Sequence, residues 1–244
     1  MQRKPLRRDA RDSRDRLILT AERLFAERGI DGVSLRELNL AAGQKNVSGL
    51  QYHFGTKADL LAAVFGHRVP EIEARRQAML AEMKAAGGMS DLRQVLGAMV
   101  IPFAEQLDSG RNERAYVRFV AQLYSHPSIR EFDLSSDGYR QAYRAAQRLL
   151  SAEFPAKLVK QRLGLQVGHF VHALADLEGR VVRQGRPVTP KRIQLFVNDL
   201  LNTAIGALTA SVSPATTVLL RLSSRGSPCT PHAPLEHRVH ARRR

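Results

Sequence analysis

The 244-residue chain has no tryptophan and a single cysteine, Cys229. One cysteine cannot form an internal disulfide, so the fold has to rest on a packed apolar core, which suits a reducing compartment. A run approaching the roughly 20 uninterrupted apolar residues of a membrane helix is missing. The basic N-terminus is not followed by the roughly 7–15-residue apolar segment of a signal peptide. These absences predict a soluble, cytoplasmic protein with no membrane partner. Strand signals are almost missing, and no internal repeat is evident. The fingerprints G-x-S-x-G, H-E-x-x-H, the P-loop and the dinucleotide-binding glycine pattern are missing too. The sequence therefore offers an enzyme no residues to stand on, and it implies no cofactor. His169, His172 and Asp176 recur at i, i+3, i+7 on one helix, but a metal site needs more ligands and a second element, so no metal is expected.

Acid is scarce as well: 23 Asp and Glu stand against 38 Lys and Arg, a formal charge of +15. Such a balance favours a polyanionic partner, nucleic acid before an anionic membrane surface. What the chain has in quantity is helical patterning, and the most informative stretch is Ser34 to Lys57. Ser34 and Glu37 have the spacing of a capping box, with Val33 and Leu38 placed for a hydrophobic staple. Leu35, Leu38, Ala41 and Ala42 repeat at helical spacing, and Gly43 ends that helix. A second short helix is expected from about Asn46 to Phe54, with Val47, Leu50 and Phe54 inward. Lys45, Asn46, Ser48, Gln51, Tyr52 and His53 are left on the open face, and these donors and acceptors suit base edges and phosphates. Thr56, with Asp59 three residues on, caps a further helix whose first N–H groups, beside Lys57, form a natural phosphate site. Two short helices across a tight turn make a helix-turn-helix.

Gly43 and the run Leu50-Gln51-Tyr52-His53-Phe54-Gly55-Thr56-Lys57, followed by Ala58-Asp59-Leu60-Leu61, resemble the DNA-binding domain of the TetR family of bacterial transcriptional repressors. Gln51 stands where the family usually has tyrosine. The resemblance covers residues 14–66. It implies an all-α protein, an N-terminal three-helix domain followed by a larger helical domain for ligand binding and dimerisation. It also keeps Tyr52, His53 and Lys57 in register as the phosphate clamp.

The rest of the chain divides accordingly. Residues 1–13 read as a disordered basic arm, or as one that reaches DNA. The first helix is expected from Arg14 to Arg28, and residues 14–66 form the helix-turn-helix domain. A long helix from Thr56 passes Pro70, with a kink, to about Ala85 and links the two parts. Residues 67–211 form the larger helical domain. There Ser90 should cap a helix interrupted near Pro102, with further helices over 112–125, from Ser135 or Ser136 to about Glu153, and over 158–183 and 189–211. The last two carry Gly164, Gly168, Ala173, Ala175, Ala204, Gly206, Ala207 and Ala210, small residues that suit a homodimer seam. Residues 212–244, rich in Ser, Pro, Thr and Arg, read as a disordered basic tail. A small apolar effector would be lined by Phe103, Tyr116, Phe119, Leu123, Tyr143, Phe170 and Leu174, with His169 as a polar anchor. The expectation is a homodimeric repressor of double-stranded operator DNA, with Lys45, Asn46, Ser48 and Gln51 on bases and Tyr52, His53, Lys57 and the Thr56 N–H on the backbone. The rival expectation is a sequence-tolerant, DNA-coating protein without ligand control.

Overall fold

The computed structural model describes residues 6–43, 48–107, 115–127, 136–185 and 189–225, without the side chains of 6–12, 48–49 and 223–225. Among the described residues it holds ten α-helices and no strand. They are α1 Leu6–Arg28, α2 Leu35–Ala41, α3 Ser48–Phe54, α4 Lys57–Ala85, α5 Leu92–Ala104, α6 Tyr116–Ser125, α7 Asp137–Ser151, α8 Ala156–Gln184, α9 Pro190–Thr209 and α10 Pro214–Arg225. No single helix among the described residues is long and apolar enough to cross a membrane.

Three boundaries differ from expectation, each for a local reason. Helix α1 starts at Leu6, eight residues before Arg14, so part of the expected arm is helical. The cap of α5 is Asp91 rather than Ser90: its Oδ1 accepts the N–H groups of Arg93 at 2.7 Å and Gln94 at 3.3 Å. Part of the expected tail is the helix α10, opened by Pro214 at its first position and by Ser213, whose Oγ accepts the Thr216 N–H at 3.2 Å. Helix α4 runs unbroken past Pro70, and α5 runs past Pro102 into a single 3₁₀ turn at Glu105–Leu107.

The chain forms two compact units, Met1–Thr209 and Ala210–Arg244. The expected division at residue 66 does not separate units, because the apolar core bridges it. One cluster gathers Leu17, Ile18, Phe25, Leu38, Leu50, Phe54 and Leu60 from α1–α4, together with Tyr116, Phe119 and Leu123 of α6. The other gathers α5, α7, α8, α9 and the far half of α4, with Leu80, Val95, Leu96, Leu150, Phe170, Leu174 and Leu201. Phe103 packs against both clusters. Helix α6 lies against both α1 and α8.

Candidate nucleic-acid interface

The three N-terminal helices fold as their caps dictate. The Ser34 Oγ accepts the Glu37 N–H at 3.2 Å, and the Glu37 carboxylate accepts the Ser34 N–H at 2.8 Å. Those bonds from Ser34 hold the Glu37 carboxyl below the usual carboxylate range. Thr56 and Asp59 repeat the arrangement at the head of α4. Gly43 at φ +70° and Gly55 at φ +72° close α2 and α3 in the left-handed region that side chains disfavour.

Helix α3 is seated from within. Leu50 and Phe54 are buried, and the N–H of Leu50, the third residue of the helix, donates to Oδ1 of Asn39 at 3.1 Å. Asn39 is itself buried, so α2 supplies an N-cap to α3 across the turn. The sequence held this signal: Asn39 lies four residues after Leu35 and three before Ala42, on the stripe that faces inward. Outward, Gln51 is exposed and Tyr52 is 85% exposed, its ring edge-on to half-buried His53 with centroids 5.3 Å apart. The Arg14 guanidinium lies 5.2 Å from the centre of the Phe54 ring. Lys45 and Asn46 lie outside the described residues, and Ser48 opens α3 with its side chain undescribed.

Two expected phosphate contacts are engaged elsewhere. The Thr56 N–H donates to Phe54 O at 2.9 Å and to Asp59 Oδ2 at 3.2 Å, which removes it as a phosphate donor. The Lys57 ammonium donates to Val33 O at 2.9 Å and stands 5.8 Å from the Phe25 ring centre. One of the three ammonium N–H donors of Lys57 thus ties α4 to the residue before the cap of α2.

The head is bonded to the helices behind it. Glu22 of α1 is fully buried; its Oε1 accepts the Ala115 N–H at the start of α6 at 3.1 Å, and its Oε2 meets Arg68 of α4 at 3.4 Å. Burial raises its pKa, against the lowering effect of Arg68. The Tyr116 hydroxyl donates to Phe65 O at 2.9 Å, and Asp31 meets His126 at 3.2 Å. Sequence reasoning missed Glu22, a carboxylate on an otherwise apolar face of α1.

These bonds also revise the expected effector lining. Tyr116, Phe119 and Leu123 are buried in the core of the head because α6 covers the outer side of α1. Phe170 and Leu174 belong to the other cluster, Tyr143 is half-buried beside it, and His169 is exposed. The eight residues are thus divided between the two clusters and the surface, with Phe103 touching both clusters.

A short helix locked by a capped partner, with Gln51 and Tyr52 held outward, is built to enter a groove. A scan against protein-family models matches residues 17–64 to "Bacterial regulatory proteins, tetR family". A search of the curated proteins finds no match. With the helix-turn-helix geometry and the family match falling on the same three helices and the start of α4, the chain carries at residues 17–64 a TetR-family helix-turn-helix domain, the DNA-binding part of a transcriptional regulator.

Proposed function

We propose that the protein is a repressor that binds a pseudo-palindromic operator as a homodimer and is controlled by a small apolar effector. The observation that carries this reading is the seating of α3: the Asn39–Leu50 bond fixes the helix while Gln51 and Tyr52 stay in solvent. Lys45, Asn46, Ser48 and Gln51 read base edges, and Tyr52 and His53 contact the backbone. Lys57 braces the reading head through Val33 and offers its remaining ammonium N–H donors to the backbone.

Support for the homodimer comes from α8 and α9, which expose Leu165 and Leu195 beside the exposed glycines Gly164 and Gly206. Support for effector control comes from the two apolar clusters meeting at Phe103, with Glu22–Ala115 and Tyr116–Phe65 tying α6 to the head. A small molecule that favours one arrangement of α6 shifts DNA affinity by its differential affinity for the two states.

Binding-site selection from a random duplex pool tests the reading. It should return an inverted repeat with half-sites about 10 bp apart or a simple multiple of that. Gln51→Ala should cost roughly 1–3 kcal/mol at one base position and leave the others unchanged. A pool that yields no motif, or a Gln51→Ala loss equal for every sequence, supports the DNA-coating alternative instead.

A further inference from the structure

Among the described residues, two side-chain polar atoms are buried with no hydrogen-bond partner: Nε of Arg68 on α4, and Oε1 of Gln106 in the 3₁₀ turn after α5. Arg68 is 8% exposed and Gln106 is 3% exposed. A polar atom buried unpaired is costly, and folded proteins keep few of them. These two are complementary, because a guanidinium N–H donates and an amide oxygen accepts.

They also stand level with each other. Helices α4 and α5 form a hairpin across Gly87 and Gly88, and Arg76 Nε donates to Ala98 O at 3.0 Å. Eight residues outward from that bond along each arm, about 12 Å, come Arg68 and Gln106. Each follows a phenylalanine by three residues, the spacing of neighbours on one helix face. Both phenylalanine rings meet Tyr116 of α6, Phe65 stacked at 6.5 Å and Phe103 edge-on at 6.2 Å. The Tyr116 hydroxyl donates to Phe65 O at 2.9 Å, and the charges of Glu22 and Arg68 both act on it. Phe65 and Phe103 are only half-buried, so this aromatic wall reaches solvent. Arg68 is already charge-balanced, since its Nη2 meets Glu22 Oε2 at 3.4 Å. An anion brought to the wall would be a third buried charge without a cation of its own.

We infer that Arg68 and Gln106, on the wall made by Phe65, Phe103 and Tyr116, bind a neutral aromatic molecule that carries a hydroxyl or a primary amide. Its oxygen accepts from Arg68 Nε, and its O–H or N–H donates to Gln106 Oε1. The inference rests on the proposed control by an effector and names the chemistry of that effector. The guanidinium that holds the molecule also holds Glu22 of α1, and Glu22 in turn holds the Ala115 N–H at the start of α6. Occupancy therefore bears on the bonds that seat the reading head.

The test is isothermal titration calorimetry on the full chain. The probes are 2-naphthol and 2-naphthamide, compared with 2-methoxynaphthalene, which has no donor, and 2-naphthoate, an anion. At least one of the first two should bind, roughly tenfold or more tighter than either comparison compound. Gln106→Leu should weaken that probe by about tenfold and erase its preference over 2-methoxynaphthalene. Arg68→Lys keeps a cation for Glu22 but removes the Nε–H, and it should do the same. Gln94→Leu, exposed at the far end of α5, should bind as wild type does. Titrations are run below each variant's melting transition, and one folded variant of the pair is enough to decide. The inference is overturned if neither probe binds, if 2-methoxynaphthalene or 2-naphthoate binds as tightly, or if the folded variants keep wild-type affinity. Each of those results leaves α3 and effector control through another site untouched. The bound probe should also change affinity for the selected operator duplex in fluorescence anisotropy. Binding that depends on Gln106 while operator affinity stays constant would uphold the site and remove the proposed effector control.

Discussion

Asn39 shows how a single side chain can decide whether the reading helix exists. A helix of seven residues is too short to be stable alone, and each of its first N–H groups needs an acceptor. Asn39 supplies one from a buried position, where water cannot substitute. Asn39→Ala leaves the Leu50 N–H buried and unpaired, at a cost of about 1–3 kcal/mol. The expected outcome is a lower urea midpoint with an unchanged m-value, and a loss of DNA affinity for all sequences alike. An affinity loss confined to one base position would mean that Asn39 reads bases rather than seats α3. Lys57 makes the complementary point about what a sequence hides. Its place at the head of α4 was legible and suggested a phosphate clamp, but the carbonyl it meets belongs to Val33, 24 residues away. A flexible lysine stem goes where tertiary structure offers an acceptor, and spacing along the chain does not reveal that.

At the scale of elements, what was legible had a local cause. The capping boxes Ser34–Glu37 and Thr56–Asp59, Gly43, and Pro190 at the first turn of α9 mark their helices through bonds between near neighbours. What was missed had a non-local or compositional cause. The start of α1 was hidden by its polar composition, although Arg8–Asp12 and Arg11–Asp15 have the spacing that supports an isolated helix. Helix α10 was hidden in a Ser/Pro/Thr-rich stretch, although Val218, Leu219 and Leu222 recur at helical spacing. Pro102 read as an interruption because proline removes the N–H that would bond Ala98 O. The structure fills that vacancy from another helix: Arg76 Nε donates to Ala98 O at 3.0 Å. The same guanidinium reaches Glu73 at 2.9 Å and Ser136 at 3.0 Å, so α4, α5 and the cap of α7 share one residue. Burial would raise the Glu73 pKa, but its bonds from Ser136, Gln77, Gly138 and Arg76 outweigh it and lower the value. A double-mutant cycle isolates the helix-repair role. Arg76→Met should cost about 2–4 kcal/mol, as expected for breaking a buried charge network. Pro102→Ala restores the intrahelical bond, so the same substitution in that background should cost about 1 kcal/mol less. Additive losses in chemical denaturation would show that Arg76 acts through Glu73 and Ser136 alone.

The first compact unit as a whole is held by carboxylates that are poorly solvated. Glu178 of α8 accepts the N–H of Arg118 at 3.0 Å and its Nε at 3.1 Å, and burial pushes its pKa up to about 7 despite that partner. A carboxyl whose folded value exceeds its ordinary 4.5 favours folding most below that ordinary value. Stability from this group is therefore lost as pH rises toward about 7, and Glu22 acts in the same direction. Glu178→Gln should flatten the fall of the urea midpoint across that window, and parallel profiles for variant and wild type would sink the assignment. The proposed twofold assembly makes a separate demand. Leu195 is 72% exposed and Leu165 is 65% exposed, large for side chains with no role inside one subunit. At Gly164 and Gly206 an added Cβ would meet nothing within 4 Å, so packing within the chain does not require their smallness. Glycine inside a helix costs about 1 kcal/mol relative to a good helix former, so Gly206 is explained if a second copy approaches there. Gly206→Leu separates the two possibilities. In an isolated subunit it should raise the melting temperature, because it improves helix propensity at an exposed position where an added Cβ meets nothing within 4 Å. Across a twofold seam the same side chain intrudes twice, and overpacking of about 1–3 kcal/mol at each site should weaken self-association by roughly thirty- to twenty-thousand-fold. Sedimentation equilibrium should then show well-folded monomers that have lost operator affinity, whereas a variant that still dimerises as wild type does would place the seam on another face.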